Sequence, residues 1–237
     1  MLSHKPWRPL AVWLFVVAQM TSLFLGVSIM AALRHIGVAG FRDPGDSGNI
    51  LIGTLSFQGA TWILMAAFFR HHHVGWLDAL GFGRRVLPAL LLALATVVVV
   101  LWPVLWLQEL SATIMQKFGW TPQNEVAVTL LAGTNSPAMQ IYLVIFAVAL
   151  APVAEEFIFR GMLYPCIKQL GYPKTAWISV NLLFALVHGN AAILIPLFVL
   201  ALALTWLYEI TDSLLAPIAG HALFNVANLL LLKYLPQ

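Results

Sequence analysis

The sequence predicts an all-α integral membrane protein, a polytopic helix bundle of about seven transmembrane spans with no soluble domain. Three observations carry this. Of 237 residues, 61% are hydrophobic and 9% charged, against about 25% charged in soluble domains. Mean hydropathy is +0.90. The apolar residues fall into successive runs near the roughly 20 residues of a spanning helix, parted by segments rich in Gly, Pro, Asn and Asp.

The first run, Leu10 to about Leu33, follows Lys5 and Arg8 and outlasts the roughly 7–15-residue core of a cleavable signal peptide, so it reads as an uncleaved span. Turn formers from Asp43-Pro44-Gly45 to Gly48 lead into span two, Ile50 to Phe69. Arg70 and His71-His72-His73 then open a polar segment. It continues through Trp76 to Gly83, Arg84 and Arg85 as a short interfacial helix. Adjacent helical positions point about 100° apart, so the three histidines read as a solvated run and not as a metal site. Span three runs from Val86 to Leu107, with Pro103 near its end, and residues 108–138 form the longest polar connection. Within it Thr121-Pro122 reads as an N-cap and first helical position, giving a short helix over 122–131. Span four runs from Ala138 toward Gln169. Spans five to seven are Lys174–Gly189, Ala191–Tyr208 and Ser213–Tyr234, joined by tight connections that make them antiparallel neighbours. An eighth span, half-buried within 108–138, is the alternative topology. The chain divides into 1–137, the N-terminal membrane helices with their interfacial and loop helices, and 138–237, where the chemistry gathers.

A net charge of +3 and a pI near 9.2 do not indicate nucleic acid, because the basic residues sit at loop ends as orientation signals. The N-terminus (Lys5, Arg8), the second loop (Arg70, Arg84, Arg85) and the fourth (Lys168, Lys174) share a face in a seven-span chain. That face is expected to be cytoplasmic, with Gln237 outside. Cys166 is the sole cysteine, so no intramolecular disulfide can form. No internal repeat is visible, which weighs against an inverted-repeat transporter.

The segment Ala151-Pro152-Val153-Ala154-Glu155-Glu156-Phe157-Ile158-Phe159-Arg160 places three charges in a spanning run. Each costs about 2.5–3.5 kcal/mol at a helix centre on insertion scales, so the cluster is a functional-site hypothesis. Glu156 and Arg160 stand four apart with the acid first, the favourable order for an ion pair. Glu155 lies about 100° around the helix, directed to another partner. Span five carries Asn181, Phe184 and His188, and span seven carries His221, Asn225 and Asn228; within each set the residues four apart share a face. At about 1.5 Å per residue, Glu155 and His188 lie about 21 Å from the cytoplasmic end of their helices and His221 about 13 Å, a difference that tilt absorbs. Desolvation in an apolar bundle makes a carboxylate a stronger base. Imidazole and amide N–H groups suit an oxyanion, so the set fits peptide hydrolysis by activated water. No Gly-x-Ser-x-Gly turn, intramembrane Asp pair or His-Glu-x-x-His is present.

Glu155-Glu156-x-x-x-Arg160, Phe184-x-x-x-His188 and His221-x-x-x-Asn225 resemble, in order and approximate spacing, the three motifs of the CPBP family. That family comprises CAAX prenyl endopeptidases of the Rce1 type and the bacteriocin-processing, Abi-type proteins. The resemblance covers about residues 138–230. It implies an intramembrane glutamic endopeptidase in which Glu155 and His188 activate a water and His221 and Asn225 stabilise the tetrahedral oxyanion. Glu156, Arg160 and Phe184 would support the site. It also implies a multi-pass protein of a prokaryotic inner membrane, acting on a membrane-associated peptide or protein without a cofactor. Three other readings use the same residues. A His₂Glu zinc site from Glu155, His188 and His221 would make a metal-dependent protease. A non-catalytic scaffold or immunity protein would bind a partner's span, and a proton-coupled transporter would use the Glu and His as a relay.

Overall fold

The computed structural model describes residues 2–43, 45–82, 85–122 and 126–234, and among them every regular element is a helix. Pro44, Gly83, Arg84, the 123–125 part of the expected short helix and the terminal Gln237 lie outside the described residues. Five helices are long and apolar enough to cross a membrane: α1 (Pro9–His35), α2 (Ser47–His72), α4 (Val86–Lys117), α6 (Pro137–Gln169) and α8, which occupies Leu194–Thr211 behind a 3₁₀ turn at Ala191–Ile193. Two shorter apolar helices join them, α7 (Pro173–Val187) and α9 (Leu215–Tyr234). The chain is a polytopic helical membrane protein, with short helices α3 (Trp76–Leu80) and α5 (Val126–Gly133) between its spans. It divides into two compact units, Pro6–Trp76 and Met1–Lys5 with Leu77–Gln237.

In the first unit α1 and α2 approach so closely that a Cβ added at Gly26 would lie 2.0 Å from Ser56 Oγ. Helix α2 widens into a π turn at Leu55–Gly59. Gln19, buried on α1, donates to the Ser56 and Phe57 carbonyls at 3.3 and 3.2 Å, while Thr61 donates to Gln19 Oε1 at 3.1 Å. A widened turn draws carbonyls away from their α-helical donors, and in an apolar medium a facing amide satisfies them. The histidine run differs from expectation. His71 and His72 continue α2, and only His73, at φ 54°, leaves it. The His72 ring packs on Phe68 and Trp7 and its Nδ1 donates to the Phe68 carbonyl at 2.9 Å, so aromatic packing replaces solvation at that position.

In the second unit α4 runs ten residues past the expected end at Leu107, so Pro103 lies in its interior. Residues 108–117 are polar enough to read as a connection, yet Gln108, Glu109, Gln116 and Lys117 are helix formers that keep the ladder going. The described part of helix α5 is Val126–Gly133, and Pro122 is not helical. Ser136 caps α6 by accepting from the Met139 N–H at 3.5 Å. Helix α6 then widens twice, at Phe146–Leu150 and at Phe157–Leu163. Each π stretch ends two residues before a proline, Pro152 and Pro165, whose missing N–H and ring clash with the preceding carbonyls favour a wider turn there. Helix α4 packs along α8 and α9, α7 packs on α8 and the second half of α6, and α9 packs on the first half of α6.

One end of this unit gathers the connections. Lys5 Nζ lies 2.7 Å from Asp212 Oδ1, which also accepts from the Ser3 N–H. Gln169 pairs through its side-chain amide with the Lys5 backbone, and Glu209 takes Tyr164 and Lys168. Ser213 donates to the Gly81 carbonyl at 3.1 Å, where Gly81, at φ 81°, has no room for a Cβ. The Lys5–Asp212 contact joins residues 207 apart in the chain at this end of the unit. At about 1.5 Å per residue, α5 as described covers about 12 Å.

Candidate active site

Helix α6 supplies the charged stretch at its second wide turn. Glu156 closes the α-helical segment Ala151–Glu156 and Arg160 lies in the π stretch behind it. Both are wholly buried, and Arg160 Nη1 donates to Glu156 Oε1 at 3.0 Å, the ion pair that the spacing of four predicted. The guanidinium is held on its other edges by residues to which the sequence reading gave no role. Nε donates to Thr205 Oγ1 at 3.3 Å, and Nη2 to Asn181 Oδ1 at 3.3 Å and the Ala201 carbonyl at 3.0 Å. Thr205 donates to Asn181 Oδ1 at 2.7 Å and Asn181 Nδ2 to the Trp177 carbonyl at 2.7 Å. The Phe184 ring covers the guanidinium at 4.5 Å. A buried charge is tolerated when paired and hydrogen-bonded, and this cage meets that condition. A signal for it existed: Thr205 is the sole hydroxyl of the 191–207 run, and Asn181 stands one turn before Phe184.

His221, buried on α9, completes the chain of contacts. Its Nδ1 donates to Glu156 Oε1 at 2.9 Å, which fixes the ring and leaves Nε2 facing Glu155, 4.0 Å from Oε2. That separation is too long for a direct hydrogen bond but short for two groups acting on one reacting centre. The Glu155 side chain keeps 16% of its surface, against none for Glu156. The two adjacent carboxylates therefore differ in kind, one locked into an ion pair and the other at the accessible edge. The Phe184 ring lies 5.7 Å from His221 and 5.0 Å from His188. His188, half-buried at the end of α7, donates from Nδ1 to the Phe184 carbonyl at 2.7 Å, which in the neutral ring leaves the lone pair on Nε2. Helix α7 has 15 residues, about 22 Å, shorter than a hydrocarbon core of about 30 Å. Asn225, one turn after His221, donates from Nδ2 to the Ala147 carbonyl of α6 at 2.8 Å.

The structure thus joins Glu155, Glu156, Arg160, Phe184 and His221 in one network, attaches His188 to it through Phe184, and seats Asn225 on the first wide turn of α6. Among the described residues no three His, Cys, Asp or Glu side chains are grouped so that they could hold one metal ion.

Fold and centre together define a class, a polytopic helical membrane protein with a carboxylate, guanidinium and imidazole network buried between four helices. Comparison with known proteins adds what part of the chain is similar to. Residues 137–227 match the family model described as type II CAAX prenyl endopeptidase Rce1-like, which bears out the resemblance of the three motifs over this segment. The UPF0177 protein YxdF of Lactococcus lactis subsp. lactis (strain IL1403) is 30% identical over 78 residues, 32% of this chain and 42% of that protein. The chain therefore spans about two fifths of the length of the curated relative it matches. No solved structure matches the chain.

Proposed function

We propose that this protein is an intramembrane glutamic endopeptidase that hydrolyses a peptide bond of a membrane-associated substrate with an activated water. The observation that carries the proposal is the relay from Arg160 through Glu156 to His221, whose Nε2 faces the more exposed Glu155. Glu155 is the general base. It takes a proton from water as the water oxygen bonds to the scissile carbonyl carbon, and returns it to the leaving nitrogen as the C–N bond breaks. His188, with its Nε2 lone pair, holds the second hydrogen of that water. His221 donates from Nε2 to the oxyanion when its ring carries both protons, and Asn225 offers the amide hydrogen that Ala147 does not use. Glu156 and Arg160 set the orientation of His221, as a carboxylate orients the histidine of a hydrolytic triad.

The substrate class follows from depth. The centre lies between helices, so the scissile bond belongs to a segment in or next to the bilayer. A multi-pass location in a prokaryotic inner membrane, with the cavity open to the cytoplasm or inner leaflet, belongs to the same proposal. Its support is the gathering of Lys5, Lys168 and the Gly81 turn at the end toward which Glu155 and His221 lie. The deciding experiment compares purified wild type with Glu155→Gln against a library of membrane-protein fragments in chelator-treated detergent. Cleavage by wild type alone supports the assignment; equal cleavage by both, or loss of wild-type cleavage with chelator, overturns it.

A further inference from the structure

Resting on the proposed reaction, we propose that Asn225 positions the catalytic turn as well as facing the oxyanion: its amide caps a carbonyl that α6 cannot satisfy, and so fixes where Glu155 stands. In a helix the Ala147 carbonyl finds its donor four residues ahead, or five in a π turn. Four ahead is Ala151, whose N–H goes to the Phe146 carbonyl. Five ahead is Pro152, which has no N–H. The wide turn and the proline together strip Ala147 of main-chain donors. Asn225 Nδ2 donates to that oxygen at 2.8 Å, from a helix 78 residues further along the chain. In an apolar medium an unsatisfied carbonyl is costly, so the wide turn persists only while this donor is in place.

Position of the charged stretch depends on that turn. A π turn takes up one residue more than an α turn, so its collapse would rotate everything after it by about the 100° of a single residue. Glu155 and Glu156 lie three and four residues beyond Pro152 on the rigid segment Ala151–Glu156. His221, which meets both, sits one turn before Asn225 on α9. One face of α9 therefore reads both the orientation of the carboxylates and the turn that sets it.

Pro152→Ala supplies the missing N–H, aimed along the helix at the Ala147 carbonyl, and makes Asn225 redundant for capping. The test is a cycle of four full-length proteins in detergent: wild type, Pro152→Ala, Asn225→Leu and the double variant. Thermal midpoint and kcat per folded molecule are both measured. Asn225→Leu is expected to lower the midpoint by several degrees and kcat by at least tenfold; in the Pro152→Ala background less than half of the midpoint loss should remain and the kcat loss should shrink, its remainder being the oxyanion's share. Equal losses in both backgrounds would mean that Asn225 acts on the oxyanion alone, and would overturn the proposal. A midpoint loss with kcat per folded molecule unchanged would also overturn it, leaving a purely structural contact. If Asn225→Leu fails to fold, Asn225→Ala takes its place in the cycle. Should wild type prove inactive, the peptidase reading falls, while the midpoints still decide whether Asn225 caps Ala147.

Discussion

Arg160 places its N–H groups on partners from three helices and rests its flat face on Phe184. Arg160→Ala would strand Glu156 without its counter-charge, and breaking a buried pair of this kind costs about 3–5 kcal/mol. The expected outcome is a lower thermal midpoint and less folded protein; an unchanged midpoint with a dead enzyme would make Arg160 part of the chemistry instead. Glu155→Gln should do the opposite, leaving the midpoint within a degree or two and lowering cleavage by about 10²–10⁴-fold, the usual contribution of a general base. The contrast between these two residues was legible in the sequence, because charges are rare in an apolar span and a spacing of four pairs them along one helix. The cage around Arg160 was not. Asn181 and Thr205 are ordinary polar residues until the guanidinium of another helix arrives between them, and no spacing within one helix encodes that meeting.

Helices show the same division between local and non-local information. All seven apolar runs, and the ends of α6, α7 and α8 within a few residues, follow from hydropathy and from Pro and Gly placement. Misread were the stretches whose composition contradicts their environment, the polar end of α4 and the histidines of α2, where helix propensity or aromatic packing outweighs polarity. The two π turns of α6 were not read from the sequence, although Pro152 and Pro165 follow them, and the first also takes a facing donor, Asn225, from elsewhere in the chain. The first unit offers a test of such close fitting. Gly26→Ala drives a Cβ into Ser56 Oγ and Cβ, and overpacking of this kind costs about 1–3 kcal/mol. The midpoint should fall with Gly26→Ala and recover when Ser56→Gly is added; a midpoint indifferent to Gly26→Ala would show that the two helices yield there.

Across the whole molecule, the gathered end of the second unit makes two predictions. Burial alone would push the Asp212 carboxyl up, but hydrogen bonds from Lys5 and Ser3 outweigh it and hold the group below the ordinary aspartate range. A carboxyl lowered by folding stabilises the fold above its unfolded value, near pH 3.9, and that contribution is lost as pH falls through the lower folded value. The midpoint difference between wild type and Asp212→Asn should therefore be constant from neutral pH to about pH 5 and vanish in stronger acid. A difference that grows on acidification would refute the pairing. Orientation is checked by impermeant thiol labelling of single cysteines at positions 5, 78 and 170 in a Cys166→Ala background. All three should be protected in intact cells, and labelling at 170 would place the cavity on the outer face.

The contact between Lys5 and Asp212 also has a history in time. These residues are 207 apart in the chain. At about 5–20 residues per second, Lys5 leaves the ribosome roughly 10–40 s before its partner exists. Until then Lys5 is a cation without this partner, and in the proposed topology it counts toward the charge bias that orients the adjoining span. Once Asp212 is in place, the same ammonium is drawn onto it and becomes a fastener. In the proposed topology a single lysine thus serves biogenesis first and the folded state afterwards, and the order of synthesis keeps the two duties from competing.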